Sequence, residues 1–314
     1  MDDILDAFRA VGDPSRLRIL CLLKSAELTV SELVSILGQS QPRVSRHLKG
    51  LVDAGLLSRF REGSRVFHRL NLQGYARQLV DLIEPNDPVC VQDLAHLGEV
   101  ERIRNEVAER YFAKYAPEWD RLRQLDVDED QVADAVREML PLTQSERLLD
   151  LGTGTGRMLK NLGPDVLEAV GIDSSHEMLA VARSNISRWG LKNCSLRQAD
   201  LLALPLPIGT FDVVVLHQVL HFLKRPWAAL SEARRMLNDG GRMLIVDLAP
   251  HDLEDLRDQH AHYRLGFTDI EVREWLADQG LACETIRHLP GGQGSDGLTV
   301  TIWLAKTVGP KVIM

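Results

Sequence analysis

Long apolar runs are missing from this 314-residue sequence, and their absence excludes a class of protein. The densest run, 213–216, is far shorter than the roughly 18 residues that a membrane-spanning helix needs. The opening residues Met1-Asp2-Asp3 also lack the basic and apolar regions of a signal peptide. We therefore expect a cytoplasmic protein that has no membrane partner.

Cysteine is scarce as well. The four cysteines, at positions 21, 90, 194 and 283, are far apart in the sequence and form no Cys-x-x-Cys pair. This distribution argues for a reducing compartment and against a disulfide framework or a zinc knuckle. A zinc site built from His251, His260 and His262 has no cysteine and an unfavourable spacing, so we predict no metal.

Positive charge is in deficit overall, since the formal net charge is -8, but it is concentrated locally. Residues 1–84 contain 12 Lys and Arg against 10 Asp and Glu, and the segment 43–69 contains seven basic residues against two acidic ones. A basic patch within an acidic protein is what binding to a phosphate backbone requires. A solvated charged surface is the simpler alternative, so charge alone does not decide the matter.

The first 85 residues contain the signals of a helix-turn-helix followed by a hairpin. Thr29 and Glu32 fit a capping box at the start of one helix, and Ser40 is the predicted N-cap of the next helix. Two short strands, 56–61 and 65–70, follow on either side of a turn. A basic hairpin after the second helix predicts a winged helix-turn-helix.

The second helix of this motif carries side chains suited to DNA. Gln and Arg can make bidentate contacts with base edges in the major groove, and Ser and Lys suit phosphates. Val44, Leu48 and Leu51 form its predicted buried stripe. With two arginines of the hairpin, the predicted DNA-binding residues are Gln41, Arg43, Ser45, Arg46, His47, Lys49, Arg61 and Arg65.

The segments FRAVGDPSRLRILCLL and TVSELVSILGQSQPRVSRHLKGLVDAGLLSRFREGSRVFHRL resemble the ArsR family of bacterial winged-helix repressors. The resemblance implies a homodimer that binds double-stranded operator DNA through two half-sites about one helical turn apart. Metal-sensing members of that family use a cysteine pair before the turn, or Asp and His on the last helix. The corresponding stretches here lack cysteine and histidine, so we interpret His47 and His68 as DNA-facing or surface histidines.

The second half of the chain alternates strands and helices, which predicts a doubly wound parallel sheet. A strand ending at Asp150 leads into the glycine turn 152–156, in the pattern Asp-x-Gly-x-Gly-x-Gly. The dinucleotide-binding signature is Gly-x-Gly-x-x-Gly, with two residues before its last glycine, whereas this turn has only one residue there. An acid before the glycines suits the ammonium of an adenosyl amino acid better than a phosphate chain. Asp173 at the next strand tip suits ribose hydroxyls, and Asp200 suits an adenine amino group.

Over residues 140–306 these elements resemble the class I S-adenosylmethionine-dependent methyltransferases. The resemblance implies a seven-stranded sheet whose last strand is antiparallel, with the final pair at 283–289 and 298–305 joined by the loop 290–297. The implied cofactor is S-adenosylmethionine or S-adenosylhomocysteine. The predicted crevice residues are Asp150, Gly152, Thr153, Gly154, Asp173, Ser174, Met178, Asp200, Leu201 and His217.

Prolines at 85 and 88 interrupt the pattern between the two halves. The segment YFAKYAPEWDRLR, within a predicted helix at 91–125, resembles the lid region that precedes many methyltransferase domains. The resemblance implies that Trp119 lies over the cofactor; an ordinary core aromatic is the alternative.

We predict an α/β protein with an N-terminal winged helix-turn-helix and a C-terminal Rossmann-like, seven-stranded methyltransferase domain. The predicted domains are a DNA-binding and dimerisation head at 1–85, a linker and helical lid at 86–130, and an S-adenosylmethionine-binding domain at 131–314.

Fold alone does not distinguish an enzyme from a sensor. The architecture resembles the S-adenosylhomocysteine-responsive repressors of methionine-cycle genes, which implies a transcriptional regulator with an adenosyl effector. The alternative is an active methyltransferase of a small molecule with an autoregulatory head. Polar residues at helical spacing, His251, Glu254 and Arg257 among them, fit a substrate pocket, contacts that hold a lid across the crevice, or a solvated helix face, so we assign no catalytic residue. A DNA-modifying enzyme is disfavoured because the second half is acidic and lacks an Asn-Pro-Pro-aromatic signature.

Overall fold

The computed structural model of the chain describes residues 2–62, 65–71, 78–79, 82, 87–116, 129–291 and 298–308. Its contacts divide into two compact units, Met1–Val107 and Ala108–Met314. The division lies within one long helix, Pro88–Tyr115. The predicted domain boundaries at 85 and 130 remain predictions.

The first unit contains a helix-turn-helix followed by a β-hairpin, as the sequence predicts. A small antiparallel sheet has the strand order β1-β3-β2. The elements are α1 (Asp2–Val11), α2 (Pro14–Ser25), β1 (Leu28–Thr29), α3 (Val30–Leu37), α4 (Gln41–Asp53), β2 (Leu57–Glu62), β3 (Arg65–Leu70) and α5 (Pro88–Tyr115).

The helix starts of this unit follow from local hydrogen bonds. The capping box predicted for α3 is present: the Thr29 hydroxyl accepts from the Glu32 N–H, and the Glu32 carboxylate accepts from the Thr29 N–H at 2.7 Å. Ser40 is the N-cap residue of α4, but its hydroxyl makes no capping bond within the described residues. The reason is local, because Pro42 has no N–H and the Arg43 N–H already donates to the Ser40 carbonyl at 3.0 Å.

The start of α5 is fixed to α2 by a bidentate ion pair. Both carboxylate oxygens of Asp93 accept from the Arg18 guanidinium at 2.6 Å, and the Asp93 side chain is only 2% exposed. Leu97, one turn further along α5, joins the apolar core of this unit. The ion pair and Leu97 together hold the first turns of α5 against the rest of this unit.

Two cysteines that are far apart in the sequence meet across the same two helices. Burial and a hydrogen bond with the Cys90 thiol raise the pKa of Cys21 to about 12. Cys21 is therefore a protonated thiol at neutral pH, which makes it a poor metal ligand and a poor nucleophile.

The second unit has the predicted seven-stranded sheet. Among the described residues its strand order is β6-β5-β4-β7-β8-β10-β9, and β10 is antiparallel to both of its neighbours. Its strands are β4 (Arg147–Leu151), β5 (Glu168–Asp173), β6 (Cys194–Gln198), β7 (Phe211–His217), β8 (Leu237–Leu248), β9 (Leu281–Pro290) and β10 (Thr299–Thr307).

Helices cover both faces of this sheet. They are α6 (Glu129–Met139), α7 (Arg157–Leu162), α8 (His176–Trp189), α9 (Pro226–Met236), α10 (Glu254–Gln259) and α11 (Asp269–Asp278). Since β7 is covered on both sides, residues 213–216 are completely buried. The parallel strands β4, β5 and β7 all end at one edge of the sheet, which is where such folds bind ligands.

Residues 292–297 of the predicted loop lie outside the described residues.

No helix in the described part of the chain is both long enough and apolar enough to cross a membrane.

We expect Asp93→Asn to destabilise the first unit by about 3 kcal/mol, because it leaves the Arg18 guanidinium without its charged partner in a largely buried site. Denaturant-dependent amide hydrogen exchange in α2 measures this loss. Asp6→Asn is the matched control, since the Asp6–Arg9 pair is exposed on both sides. Equal exchange rates in the two variants would contradict the role given to the ion pair.

Candidate functional site

The predicted DNA-binding side chains lie mostly on the exposed side of α4. Five are exposed on that helix: Gln41, Arg43, Ser45, Arg46 and Lys49. On the hairpin, Arg61 is exposed; Arg65 begins β3, and its side chain lies outside the described residues. The exposed face of α4 thus combines base-reading side chains with phosphate-binding ones.

The interpretation of His47 as a DNA-facing or surface residue is wrong, because its side chain is buried. Position 47 belongs to the same apolar stripe of α4 as Val44, Leu48 and Leu51. Neither ring nitrogen has a hydrogen-bond partner among the described residues, and Nδ1 lies 3.7 Å from an Asp13 carboxylate oxygen. Burial lowers the pKa of His47. The His47 ring therefore packs on the buried side of α4 and supports the position of this helix.

His68 is also buried, so the same interpretation is wrong for it. Burial lowers its pKa, against the opposing effect of a hydrogen bond with the Leu28 backbone. This histidine lies opposite Leu28 in the β1–β3 pairing, which makes it part of the small sheet.

The glycine turn after β4 adopts a backbone that requires glycine. Gly152 and Gly154 have φ values of 71° and 53°, in the left-handed region. A Cβ on Gly152 would lie 2.5 Å from a Val219 methyl carbon. The N–H groups of Gly152 and Thr153 donate to the Ile172 carbonyl, which holds the turn against the end of β5.

Asp173 is the acceptor around which this edge of the sheet is arranged. One carboxylate oxygen accepts from the Gly154 N–H and the other from the Ser175 N–H, both at 2.9 Å. Burial raises the pKa of Asp173, and hydrogen bonds from these N–H groups and that of Ser174 oppose the shift. The carboxylate thus ties the glycine turn to the start of α8.

A cleft of about 590 Å³ opens at these strand ends. Seven of the predicted cofactor-binding residues line it: Gly152, Gly154, Asp173, Ser174, Met178, Leu201 and His217. Four more lining residues follow β7 and were not predicted: Gln218, Val219, Phe222 and Leu223. The sequence could have predicted these four residues, because they closely follow His217 at the end of β7. This strand ends at the same edge of the sheet as β4 and β5.

Three of the other predicted crevice residues, Asp150, Thr153 and Asp200, do not line the cleft. Asp150 is buried and accepts from the Thr153 hydroxyl at 2.6 Å, so these two side chains brace the glycine turn from below and do not line the cleft. Asp200 is exposed and accepts from the Leu202 N–H. Trp119 lies outside the described residues.

The last residue of α5 and the one after it pack on the cleft. Tyr115 and Ala116 belong to a small apolar cluster with Met178 and Phe222, which both line it. They belong to the segment that resembles a methyltransferase lid. Trp119 and the assignment of this segment as a lid both stay predictions.

The backbone at Gln218 is in an unusual conformation. Its φ is 50°, one of two positive values among the described non-glycine residues, and its N–H donates to the Val246 carbonyl. Such conformations concentrate at ligand sites. Ala261 is the other described non-glycine residue with a positive φ, and it directly precedes His262, which belongs to a cluster of histidines.

This cluster lies behind Phe222. His221 Nδ1 is 2.6 Å from an oxygen of the fully buried Asp247, and the rings of His221 and His262 stack 4.1 Å apart. Burial lowers the pKa of His262 well below its ordinary value. Within the described residues, no group of three His, Cys, Asp or Glu side chains has an arrangement that could hold a metal.

His251 and Arg257, two members of the polar set predicted from the sequence, lie beside this cluster. Burial lowers the pKa of His251 to about 4, and His221 adds to the effect. Arg257 is buried and forms an ion pair with Glu254 at 2.7 Å. The alternative of a solvated helix face is therefore wrong for these two residues.

Two family models match the chain in the two units. Residues 13–59 match the bacterial regulatory proteins of the arsR family, and residues 149–245 match a methyltransferase domain. The second match covers the glycine turn and Asp173.

The curated relatives of this chain include methyltransferases. The uncharacterized methyltransferase YcgJ of Bacillus subtilis is 35% identical over 42% of this chain and 54% of its own length. A demethylmenaquinone methyltransferase of Thermus thermophilus is 37% identical over 44% of this chain and 64% of its own length. The chain thus spans less than two thirds of the length of these relatives.

Solved structures show the same fold for the second unit. The crystal structure of YcgJ from Bacillus subtilis has a TM-score of 0.52 at 20% identity, covering 58% of this chain and 100% of that one. An S-adenosylmethionine-dependent methyltransferase from Aquifex aeolicus has a TM-score of 0.50 at 23% identity, covering 62% of this chain and 98% of that one.

We expect the free energy of unfolding of the second unit to fall as the pH is lowered from about 6.5 towards 4. The unfolded chain takes up protons over this range that the folded state excludes from His251. His251→Asn should reduce this proton uptake by about one per chain. Urea unfolding followed by tryptophan fluorescence measures the slope, because all five tryptophans lie beyond residue 107.

His176→Asn is the matched control, since His176 is exposed at the start of α8. An unchanged pH slope in the His251 variant would show that this imidazole is not held neutral by the fold.

Proposed function

We propose that this chain, which joins an ArsR-family helix-turn-helix to a methyltransferase domain, is a transcriptional repressor that responds to an adenosyl ligand. One observation carries the proposal: a single polypeptide has both an exposed, basic recognition helix and a glycine-lined cleft of the adenosyl-binding type. The ligand is S-adenosylhomocysteine or S-adenosylmethionine. Since its target is operator DNA, the proposed location is the cytoplasm.

The residues of the cleft fit an adenosyl group. Asp173 has lone pairs beyond those that accept from the backbone, and these suit the two ribose hydroxyls. Met178 and Leu201 supply an apolar surface for the adenine ring. At Gly152 a ligand approaches main chain that any side chain would cover. When bound, S-adenosylmethionine supplies an electrophilic methyl group, whereas S-adenosylhomocysteine is a neutral thioether.

The proposed DNA partner is a double-stranded operator bound by a homodimer. α4 presents its polar face, and α1 and α5 carry exposed apolar side chains that a second copy would cover. Leu5 and Phe8 on α1 are 47% and 53% exposed, and Val91 on α5 is 50% exposed. Two copies of α4 would then read two half-sites.

Helix α5 is the proposed link between ligand and DNA. Its first turns are fixed to the head through Asp93, while Tyr115 at its end belongs to the apolar cluster that contains Met178 of the cleft. A ligand changes operator affinity only through its different affinities for two conformations of the dimer. A ligand that alters the packing around Tyr115 satisfies this requirement by shifting the equilibrium position of α5.

The second candidate function is methyl transfer to a small molecule, and one observation favours it. The His221–Asp247 pair lies next to Phe222 of the cleft, and a carboxylate that holds Nδ1 leaves Nε2 as a proton acceptor. Incubation with methyl-labelled cofactor and cell extract distinguishes the two functions. A sensor binds the cofactor without acceptor-dependent transfer of label.

We expect S-adenosylhomocysteine or S-adenosylmethionine to change the affinity of the full chain for its operator, selected from random duplexes, by about 5- to 150-fold. Asp173→Asn should abolish this response and leave ligand-free DNA binding intact, because the change lies in the second unit. Asp165→Asn, which alters an exposed acid of the same unit, is the control. Measured ligand binding without any change in operator affinity would rule out the sensor function.

Arg43→Ala and Arg46→Ala should each weaken operator binding. If the lost contact is with a phosphate, the slope of log affinity against log salt should fall by about 1. If the contact is with a base edge, discrimination among operator sequences should fall instead. Fluorescence anisotropy at several salt concentrations measures both. Arg183→Ala removes an exposed charge from α8 and is the control; equal loss in this control would point to net charge and not to α4.

A further inference from the structure

The histidine cluster behind Phe222 concentrates basic side chains inside the second unit. Burial is the main cause of the lowered pKa of His262, and four nearby basic side chains lower it further: His221, His251, Arg257 and His260. His262 and Arg257 are each only 8% exposed. Buried polar groups need partners, so a cluster of this kind requires acceptors that match its donors.

Asp247, the fully buried acid of the cluster, is already engaged by the fold. One carboxylate oxygen accepts from the Leu220 N–H at 3.0 Å. The other accepts from the Leu248 N–H at 2.8 Å and lies 2.6 Å from His221 Nδ1. Asp247 therefore fixes the His221 ring, and its capacity to accept hydrogen bonds is largely used.

Two imidazoles of the cluster have ring nitrogens that the fold leaves without partners. The Leu253 N–H donates to His251 Nδ1 at 3.2 Å, so the neutral ring of His251 carries its proton on Nε2. Among the described residues, that buried nitrogen has no hydrogen-bond partner, and the same holds for His262 Nδ1. A buried donor without an acceptor costs stability, and it is typical of a place that a ligand or an ordered water fills.

Arg257 supplies a guanidinium whose partner can be exchanged. Its side chain is only 4% exposed, whereas that of its partner Glu254 is 32% exposed. Arg257 adds to the effect of burial on the pKa of His251, so these two donors lie close together. If Glu254 turned towards solvent, another carboxylate in its place would leave no buried charge unmatched.

We propose that the histidine cluster is a second ligand site, which binds the carboxylate of a small molecule. The Arg257 guanidinium and the His251 Nε2–H donate to the carboxylate oxygens, while Glu254 turns towards solvent. Because His251 and His262 are uncharged at neutral pH, one carboxylate matches the charge that Arg257 carries. A planar carboxylate also suits the fork of N–H donors on a guanidinium. This site needs no adenosyl ligand, so the inference goes beyond the proposed function and does not depend on it.

Phe222 separates the cluster from the cleft. Its ring lies 4.1 Å from the His221 ring and 5.1 Å from the His262 ring, and it also lines the cleft. The backbone is held here, because the His221 carbonyl accepts from the N–H groups of Tyr263 and Arg264. A rotation of the Phe222 side chain therefore connects the two spaces without a change in the backbone of the turn.

The test uses acetate and benzoate as probes, with acetamide and benzamide as their uncharged isosteres. The full chain, with its histidines isotopically labelled at Cε1, is titrated with each compound and followed by NMR. We expect both carboxylates to shift the ring signals of His251 and His262 until the shift saturates, and to leave that of the exposed His176 unchanged. The amides should shift none of these signals.

Arg257→Gln should weaken the binding of both carboxylates by about 10-fold or more, the effect of losing a hydrogen bond to a charged group. Glu254→Gln should instead strengthen it by about 2- to 5-fold, since the ligand no longer competes with a partly exposed ion pair. Glu138→Gln, which removes an exposed acid that pairs with Arg287, is the matched control and should change neither affinity.

The opposite effects of two substitutions in one ion pair distinguish a binding site from a structural cluster, because a loss of packing does not strengthen binding. Unchanged ring signals of the remaining histidines show that each variant is folded. Equal shifts with carboxylates and amides, or no saturable shift with either carboxylate, would overturn the inference. Weaker binding in Glu254→Gln, with the fold intact, would overturn it as well.

Discussion

The carboxylate of Asp173 holds together the edge of the sheet that borders the cleft. It accepts from the backbone of the glycine turn after β4 and from the backbone at the start of α8. Because the turn also donates to Ile172 at the end of β5, two neighbouring strands end at a fixed distance from each other. The shape of the cleft, and every role given to its lining, depends on this arrangement.

The sequence was sufficient for the fold because its signals were local. The capping box at Thr29, the glycines of the turn and the apolar run at 213–216 each specify a structure within a few residues. Asp173 was predictable for the same reason, since a carboxylate at the tip of a strand next to a glycine turn has few other roles.

Features that depend on tertiary packing were not predictable. His47 is the exception, because the helical spacing of positions 44, 47, 48 and 51 predicts its burial and only the polar residue type argued against it. The sequence suggested that Asp150 binds the ligand, but its carboxylate accepts a hydrogen bond from the Thr153 hydroxyl within the glycine turn. Glu129 begins α6 and Arg157 begins α7, on either side of β4, and only the fold brings the two side chains into an ion pair.

The proposed regulator places its ligand and its DNA on different parts of one chain, so its response depends on how tightly the cleft discriminates among adenosyl compounds. Equilibrium dialysis of the purified full chain against labelled S-adenosylhomocysteine tests the central claim most directly. The account predicts about one bound molecule per chain, displaced by unlabelled S-adenosylmethionine and not by NAD, because the turn suits an amino-acid tail and not a pyrophosphate. Retention of NAD in place of the adenosyl amino acid, or of neither compound, would contradict it.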